Sequence, residues 1–151
     1  MKKIIILGIL SFFTLSAGLA QNKIKPLNDF EGDTLKYAEY NYSPDKTFFY
    51  NSPIKELLDA SDLKFQSYSL MYDFNGSITR IMLYYSSVEE IANPNMRRYP
   101  SIIVLLDPIP KNNQGFENLE KSNEKHPLNE DNKSLIEDYI IKQIIFVIVN
   151  K

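Results

Sequence analysis

The sequence predicts an α+β fold: one small domain with a largely antiparallel sheet of about four to six strands and two or three helices packed on one face. Three observations carry this reading. Phe65 to Tyr85 reads as two strands folded over Asn75-Gly76, the strongest short hairpin signal. Ser52-Pro53 opens a short amphipathic helix just before it. Two apolar, β-branched runs, Ile102–Leu106 and Ile144–Val149, are too short for helices and suit strands.

The amino terminus is read as lying outside the domain. Lys2 and Lys3 precede an apolar stretch from Ile4 through Leu15, and Gly18-Leu19-Ala20 places small residues at −3 and −1. This is the pattern of a secretory signal peptide over residues 1–20, cleaved before Gln21. A retained membrane anchor needs about 20 unbroken apolar residues, and Ser11, Thr14 and Ser16 interrupt this run. With no cysteine, a lipoprotein and a disulfide framework are both excluded. Small secreted animal domains usually carry disulfides, which favours bacterial export to the periplasm or the medium. Cleavage leaves residues 21–151, with 15 basic against 19 acidic side chains, and no membrane span. A mildly acidic chain has no electrostatic reason to bind nucleic acid. One domain of this length buries roughly two-thirds of its unfolded surface, enough for its own core.

In chain order, Gln21–Asn28 is a polar leader, expected to be flexible. Thr34–Tyr42, with Leu35, Tyr37, Tyr40 and Tyr42 among charges, predicts an edge strand. Ser43-Pro44-Asp45-Lys46 is a turn. Ser52 suits an N-cap and Pro53 the first helical position. Ile54, Leu57, Leu58 and Ser61 then form one stripe, expected to pack on the apolar face of the hairpin. A two-residue loop at Asn75-Gly76 pairs Tyr72 with Thr79, Leu70 with Ile81, Tyr68 with Leu83 and Gln66 with Tyr85. Phe74 joins that apolar face. The mixed face pairs Asp73 with Ile78, Met71 with Arg80, Ser69 with Met82 and Ser67 with Tyr84. A one-residue slip would turn one strand over.

Ser86–Pro100 reads as irregular. Ile102–Leu106 reads as a strand covered on both faces, stopped at Asp107-Pro108. Residues 111–133 are polar, with a weak helix near Gln114–Glu124. Asn129 caps a predicted second helix through Lys142. An Ile144–Val149 strand this apolar is expected inside the sheet, beside Ile102–Leu106, because an open edge of this kind invites aggregation.

Catalytic signatures are sparse. Without cysteine there is no thiol nucleophile or thiolate metal site. A single histidine, His126, forms no paired metal site and reads as a solvated loop residue. Five glycines build no phosphate loop. Neither cofactor nor metal is expected. Glu89, Glu90 and Asp107 are the candidates for a carboxylate-based hydrolase, which needs one raised and one ordinary pKa across a cleft. The ordinary reading is exposed loop charge. Arg97-Arg98 is read as a loop neutralised by Glu89-Glu90, with anion or ligand contact as the alternative. Ten tyrosines and nine phenylalanines without tryptophan are the least ordinary feature. Tyrosine serves protein contacts and strands equally well. The Asn-x-Ser sequons at Asn41, Asn75 and Asn132 are read as chance.

Phe30-x-Gly32-Asp33-Thr34-Leu35, Tyr50-x-x-Pro53-x-x-x-Leu57-Leu58 and Ser67-Tyr68 resemble a group of small exported proteins of Gram-negative bacteria without a characterised activity. The resemblance implies export and one small domain, and supplies no catalytic residue. The Pro53 helix followed by a strand is also similar to the small strand–helix–strand modules at the amino ends of secretins and outer-membrane receptors. The functional expectation is a non-enzymatic exported binding or accessory module, inhibitor- or immunity-like. It would cover another envelope or secreted protein, with Met82, Tyr84, Arg97 and Arg98 as candidate contacts. The alternatives are the small hydrolase and a structural subunit of an envelope assembly that adds the Thr34 strand to a partner's sheet.

Overall fold

The computed structural model describes residues 24–110 and 124–150. The signal-peptide segment and the weak helix near Gln114–Glu124, apart from its last residue, lie outside the described residues. Within them the fold is α+β. One antiparallel sheet has five strands: β1 (Ser67–Tyr72), β2 (Ile78–Tyr84), β3 (Arg98–Ile109), β4 (Lys125–Pro127) and β5 (Ile141–Asn150). Their spatial order is β4-β1-β2-β3-β5. Four short helices accompany them: α1 (Thr34–Asn41), α2 (Ile54–Ala60), α3 (Val88–Ala92) and α4 (Glu130–Ser134).

The hairpin keeps the expected register along most of its length. Ser67 pairs with Tyr84, Tyr68 with Leu83, Ser69 with Met82, Leu70 with Ile81 and Met71 with Arg80. Only the tip differs. Tyr72 pairs with Ile78, one residue out of step, leaving Thr79 as a bulge. The connection is a three-residue loop in which Gly76 N–H donates to Asp73 O at 3.1 Å and Asp73 N–H to Ser77 O at 2.8 Å. Asp73 Oδ1 also accepts from Asn75 N at 2.9 Å and Ser77 N at 2.8 Å. Of the loop residues only Gly76 takes the left-handed conformation, at φ 79. The Asp73 carboxylate therefore selects a type I turn with a glycine bulge over the tighter two-residue turn. Phe74 is lifted off the apolar face and stands fully in solvent at the tip, 110% exposed.

The segment Thr34–Tyr42 is a helix, not an edge strand. Asp33 caps it, its Oδ1 accepting from Leu35 N at 3.1 Å and Lys36 N at 3.0 Å. The bond from the Lys36 backbone, with the Lys36 ammonium 3.3 Å away and the Leu35 amide, holds the Asp33 carboxyl below the usual carboxylate range against the opposing effect of burial. Tyr37, Ala38 and Asn41 then share the buried side. Leader residues are tied to this helix, since Asn41 exchanges two 2.9 Å hydrogen bonds with the Lys25 backbone.

Helix α2 starts one residue later than expected, with Pro53 at the N-cap and no side-chain cap. Its first amides donate instead to backbone carbonyls of the later chain, Ile54 to Tyr139 at 3.0 Å and Lys55 to Glu137 at 2.8 Å. Ile54, Leu57 and Leu58 are buried in one cluster with Tyr68, Leu70, Ile81, Leu83, Ile102 and Val104. This is the expected union of helix stripe and hairpin face. Each such aliphatic side chain contributes about 1.5–3 kcal/mol.

Four other expectations are revised. Ser86–Pro100 contains α3, started by a capping box between Ser87 and Glu90. Strand β3 runs from Arg98 to Ile109, longer than expected. It absorbs Pro108 in an irregular stretch where pairing jumps from Ile78–Ile109 to Arg80–Leu105. Its two faces are unequal: Ile102 and Val104 are buried, Ile103 and Leu105 only half-buried. Asn129 does cap a helix, accepting from Asn132 N at 2.9 Å, but α4 ends at Ser134. The chain is then drawn into backbone pairing with residues 51–54, Asn51 N–H donating to Ile141 O at 2.8 Å and Ile141 N–H to Ser52 O at 2.9 Å. Strand β5 does lie beside β3, with Ile102 opposite Phe146 and Ile103 opposite Ile145. It is the outermost strand, however, not an interior one.

Candidate interaction face

Strand alternation divides the side chains between two faces. On the core face His126, Tyr68, Leu83, Ile102 and Phe146 form one row across all five strands. The next row is Leu70, Ile81, Val104 and Ile144. Helices α1 and α2 contribute side chains to this core. On the second face the rows are Ser69, Met82, Ile103 and Ile145, then Ser67, Tyr84, Ser101 and Val147, then Met71, Arg80, Leu105 and Gln143.

The second face is covered at one end only. Tyr84, Ile91 of α3 and Tyr99 form a small buried cluster, flanked by Met82, Met96 and Val149. The rings of Tyr84 and Tyr99 meet edge to face at 5.7 Å, and Lys125 Nζ lies 5.7 Å from the Tyr84 ring centre. The Tyr84 hydroxyl shares a 2.9 Å hydrogen bond with Ser69 Oγ. Burial pushes the Tyr84 hydroxyl pKa up, and the Ser69 bond partly offsets this. Tyr84 is thus 4% exposed and offers no accessible surface of its own. The serines have a matching role: their small side chains make room for that ring, and Ser67 Oγ donates to Ser86 O at 2.7 Å. Next to this cluster Met82, Ile103 and Ile145 are only half-buried, and in the far row half-buried Met71 and Leu105 alternate with exposed Arg80 and Gln143.

Arg97 and Arg98 are exposed at the Tyr99 end of this face. The expected neutralisation does not form, since among the described residues no ion pair involves either arginine. Glu90 is occupied by its capping box, its Oε2 accepting from Ser87 N at 3.0 Å. A hollow of about 510 Å³ lies nearby, lined by Val88, Ile91, Ala92, Tyr99, Glu124 and Lys125.

The carboxylates proposed for hydrolysis do not meet. Glu89 and Glu90 sit on α3 beside Tyr99, at the start of β3. Asp107 lies eight residues further along that strand, roughly 25 Å away in extended chain. It is exposed, pairs with Lys142 at 3.0 Å and borders a separate hollow with Asp138. A general acid needs a raised pKa, whereas Glu89 is held low by its own backbone amide and Ser87. No group of three or more potential metal ligands occurs among the described residues.

His126 is not in a solvated loop. It lies half-buried in β4, opposite Tyr68, with ring centres 5.5 Å apart. Tyr37 and Tyr42 are buried and structural. Tyr42 hydroxyl donates to Ser61 Oγ at 2.9 Å, and Ser61 Oγ to Leu63 O at 2.6 Å. Burial pushes the Tyr42 and Tyr85 hydroxyl pKa values well above the ordinary phenol range.

Phe74 is the exposed apolar residue that sequence reasoning misplaced. Its signal was present in Asp73, a favoured first residue of a type I turn. No helix among the described residues is long and apolar enough to cross a membrane. No protein-family model, curated protein or solved structure matches the chain.

Proposed function

We propose that the chain is an exported, non-enzymatic binding module, inhibitor- or immunity-like, that acts by covering another envelope or secreted protein. The observation that supports this reading most is the half-exposed apolar row of Met82, Ile103 and Ile145 on the second sheet face, with Met71 and Leu105 beside it. A partner would place an apolar patch there and acidic groups against Arg97 and Arg98 at the rim. Tyr84 acts beneath this surface by holding Met82 in place. The Lys2–Ala20 pattern supports export. The hydrolase reading loses its support because Glu89, Glu90 and Asp107 share no cleft. The structural-subunit reading loses its stated device because Thr34–Asn41 is helical.

The test is chemical cross-linking in cells that export the tagged chain, followed by recovery from the envelope fraction and the medium. One defined partner is expected with the native chain and with Tyr50→Ala, which alters an exposed residue outside the sheet. Met82→Glu is expected to lose it while unfolding at the native denaturant midpoint. Equal recovery by Met82→Glu, or no partner at all, refutes the proposal.

A further inference from the structure

The two edges of the sheet are built in opposite ways. Strand β4 is three residues long and reads Lys125-His126-Pro127. Shortness, a lysine and a proline are the usual protections against edge-to-edge pairing. Strand β5 has ten residues, no proline and a single lysine, Lys142, at its start. From Gln143 to Asn150 it holds no charge, proline or glycine. Its one charged residue, Lys142, is already paired with Asp107. Among the described residues only its first residue is capped from outside, by the backbone of Asn51 and Ser52. Beyond that point no strand lies outside β5 among the described residues. Among the described residues a row of backbone donors and acceptors, bordered by Ile144, Ile145, Phe146, Val147 and Ile148, is therefore left without a strand partner.

Such a row is a template for the addition of another extended strand. We infer that its occupant is β5 of a second copy, paired antiparallel about a two-fold axis through Phe146. This register sets Phe146 against its own counterpart, Ile145 against Val147 and Ile144 against Ile148. Gln143 meets Val149, and Lys142 meets Asn150. Aromatic and β-branched pairs of this kind are the favourable cross-strand neighbours. No two like charges stand opposite one another. The axis stands perpendicular to the sheet, so each pair shares a face and the ten strands form one continuous sheet. Ile148, 43% exposed in the single chain, gains Ile144 of the second copy as a neighbour. Centring the axis one residue later would set the Asn150 amide against buried Ile144. A half-residue shift would put core-facing side chains opposite outward ones. The interface is isologous and closed, so it ends at two copies. Both second faces then lie on the same side of the assembly.

The test is sedimentation equilibrium on the chain as recovered from exporting cells, between about 1 and 100 µM, a range that spans weak to moderate association. Twice the chain mass is expected. Ile148→Lys should weaken the dimer by about tenfold, because both copies of its pair with Ile144 are lost at the one interface. The chain has no cysteine, so Phe146→Cys reports register directly. Opposed Cα atoms at about 4.5–5.5 Å lie within disulfide range. Mild oxidation should cross-link Phe146→Cys and leave Tyr50→Cys monomeric. If Phe146→Cys misfolds, hydrogen exchange on the native chain reads the same edge. Protection of amides 143–150 should then rise with protein concentration. A monomer at 100 µM, a dimer indifferent to Ile148→Lys, or equal cross-linking of both cysteine variants overturns the inference.

Discussion

The buried tyrosines make a quantitative prediction about stability. Tyr42 is 1% exposed, and its hydroxyl donates at 2.9 Å to Ser61 Oγ, which donates onward at 2.6 Å to Leu63 O. Tyr42→Phe removes one donor and leaves Ser61 still bonded to Leu63, a cost of about 1 kcal/mol. Ser61→Ala removes both bonds and leaves a buried phenol and a carbonyl without their partner, about 2–3 kcal/mol. In the double variant the shared bond is lost only once, so the total should fall short of the sum by about 1 kcal/mol. The Tyr85 hydroxyl is buried beside those of Tyr42 and Ser61 but closes no hydrogen bond with either. Tyr85→Phe should therefore cost less than about 0.5 kcal/mol, or stabilise, because it removes desolvation without removing a bond. The assay is urea unfolding with an unchanged slope. At about 2 kcal/mol per M, Ser61→Ala should move the midpoint by roughly 1 M and Tyr85→Phe by little. Additivity of Tyr42→Phe and Ser61→Ala within about 0.3 kcal/mol refutes the relay. So does a Tyr85→Phe as costly as Ser61→Ala.

Two further predictions concern alkaline pH and the hairpin tip. Burial pushes Tyr68 up to about 12 and raises Tyr42 and Tyr85 as well, whereas the unfolded chain deprotonates near 10. Below pH 10 both states keep the proton, so stability is flat. Above it the unfolded state binds fewer protons, and stability should fall as pH rises from 10 through about 12. Tyrosinate absorbance should appear together with loss of circular dichroism, and Tyr68→Phe should make the fall shallower. A native-state titration of every tyrosine near 10 contradicts this account. Asp73→Ala should cost about 1 kcal/mol in thermal unfolding, since it removes the acceptor for two backbone amides. Asp73→Asn, which keeps an acceptor oxygen, should recover most of that loss.

Sequence patterns resolved pairing better than they resolved position in the sheet. Leu70 opposite Ile81 and Tyr68 opposite Leu83 were legible because alternation leaves one register that buries both sets. Aromatic content misled at Thr34–Tyr42. Tyr37, Tyr40 and Tyr42 carry strand propensity, but that propensity yields to local geometry. The Asp33 cap and the 5.9 Å and 6.2 Å edge-to-face contacts of Tyr37 with Phe30 and Tyr42 favour a helix. The early stop of α4 depended on residues some eighty positions away, the carbonyls and amides of 51–55, which no local window contains. The candidate face followed the same division. Alternation along β2 placed Met82 and Tyr84 on the surface opposite α2, as read. That Tyr84 is buried depended on α3 and Lys125, which arrive from other parts of the chain.

The location of β5 is the most instructive of these differences. An apolar strand was expected inside the sheet because an unguarded edge is a hazard. The premise survives in β4, where lysine and proline guard a three-residue edge. Strand β5 breaks the rule over eight successive residues, while Lys142, where a charge does occur, is bonded away to Asp107 and Asn51. A protein that protects one edge and leaves the other open has two options for the open one: aggregate, or close it with a defined strand. Closure about Phe146 uses the same uncharged β-branched residues that would otherwise drive aggregation, and a two-fold axis leaves no free copy of that edge. The hazard and the interface are then one feature, so Ile148→Lys should weaken association and raise solubility together.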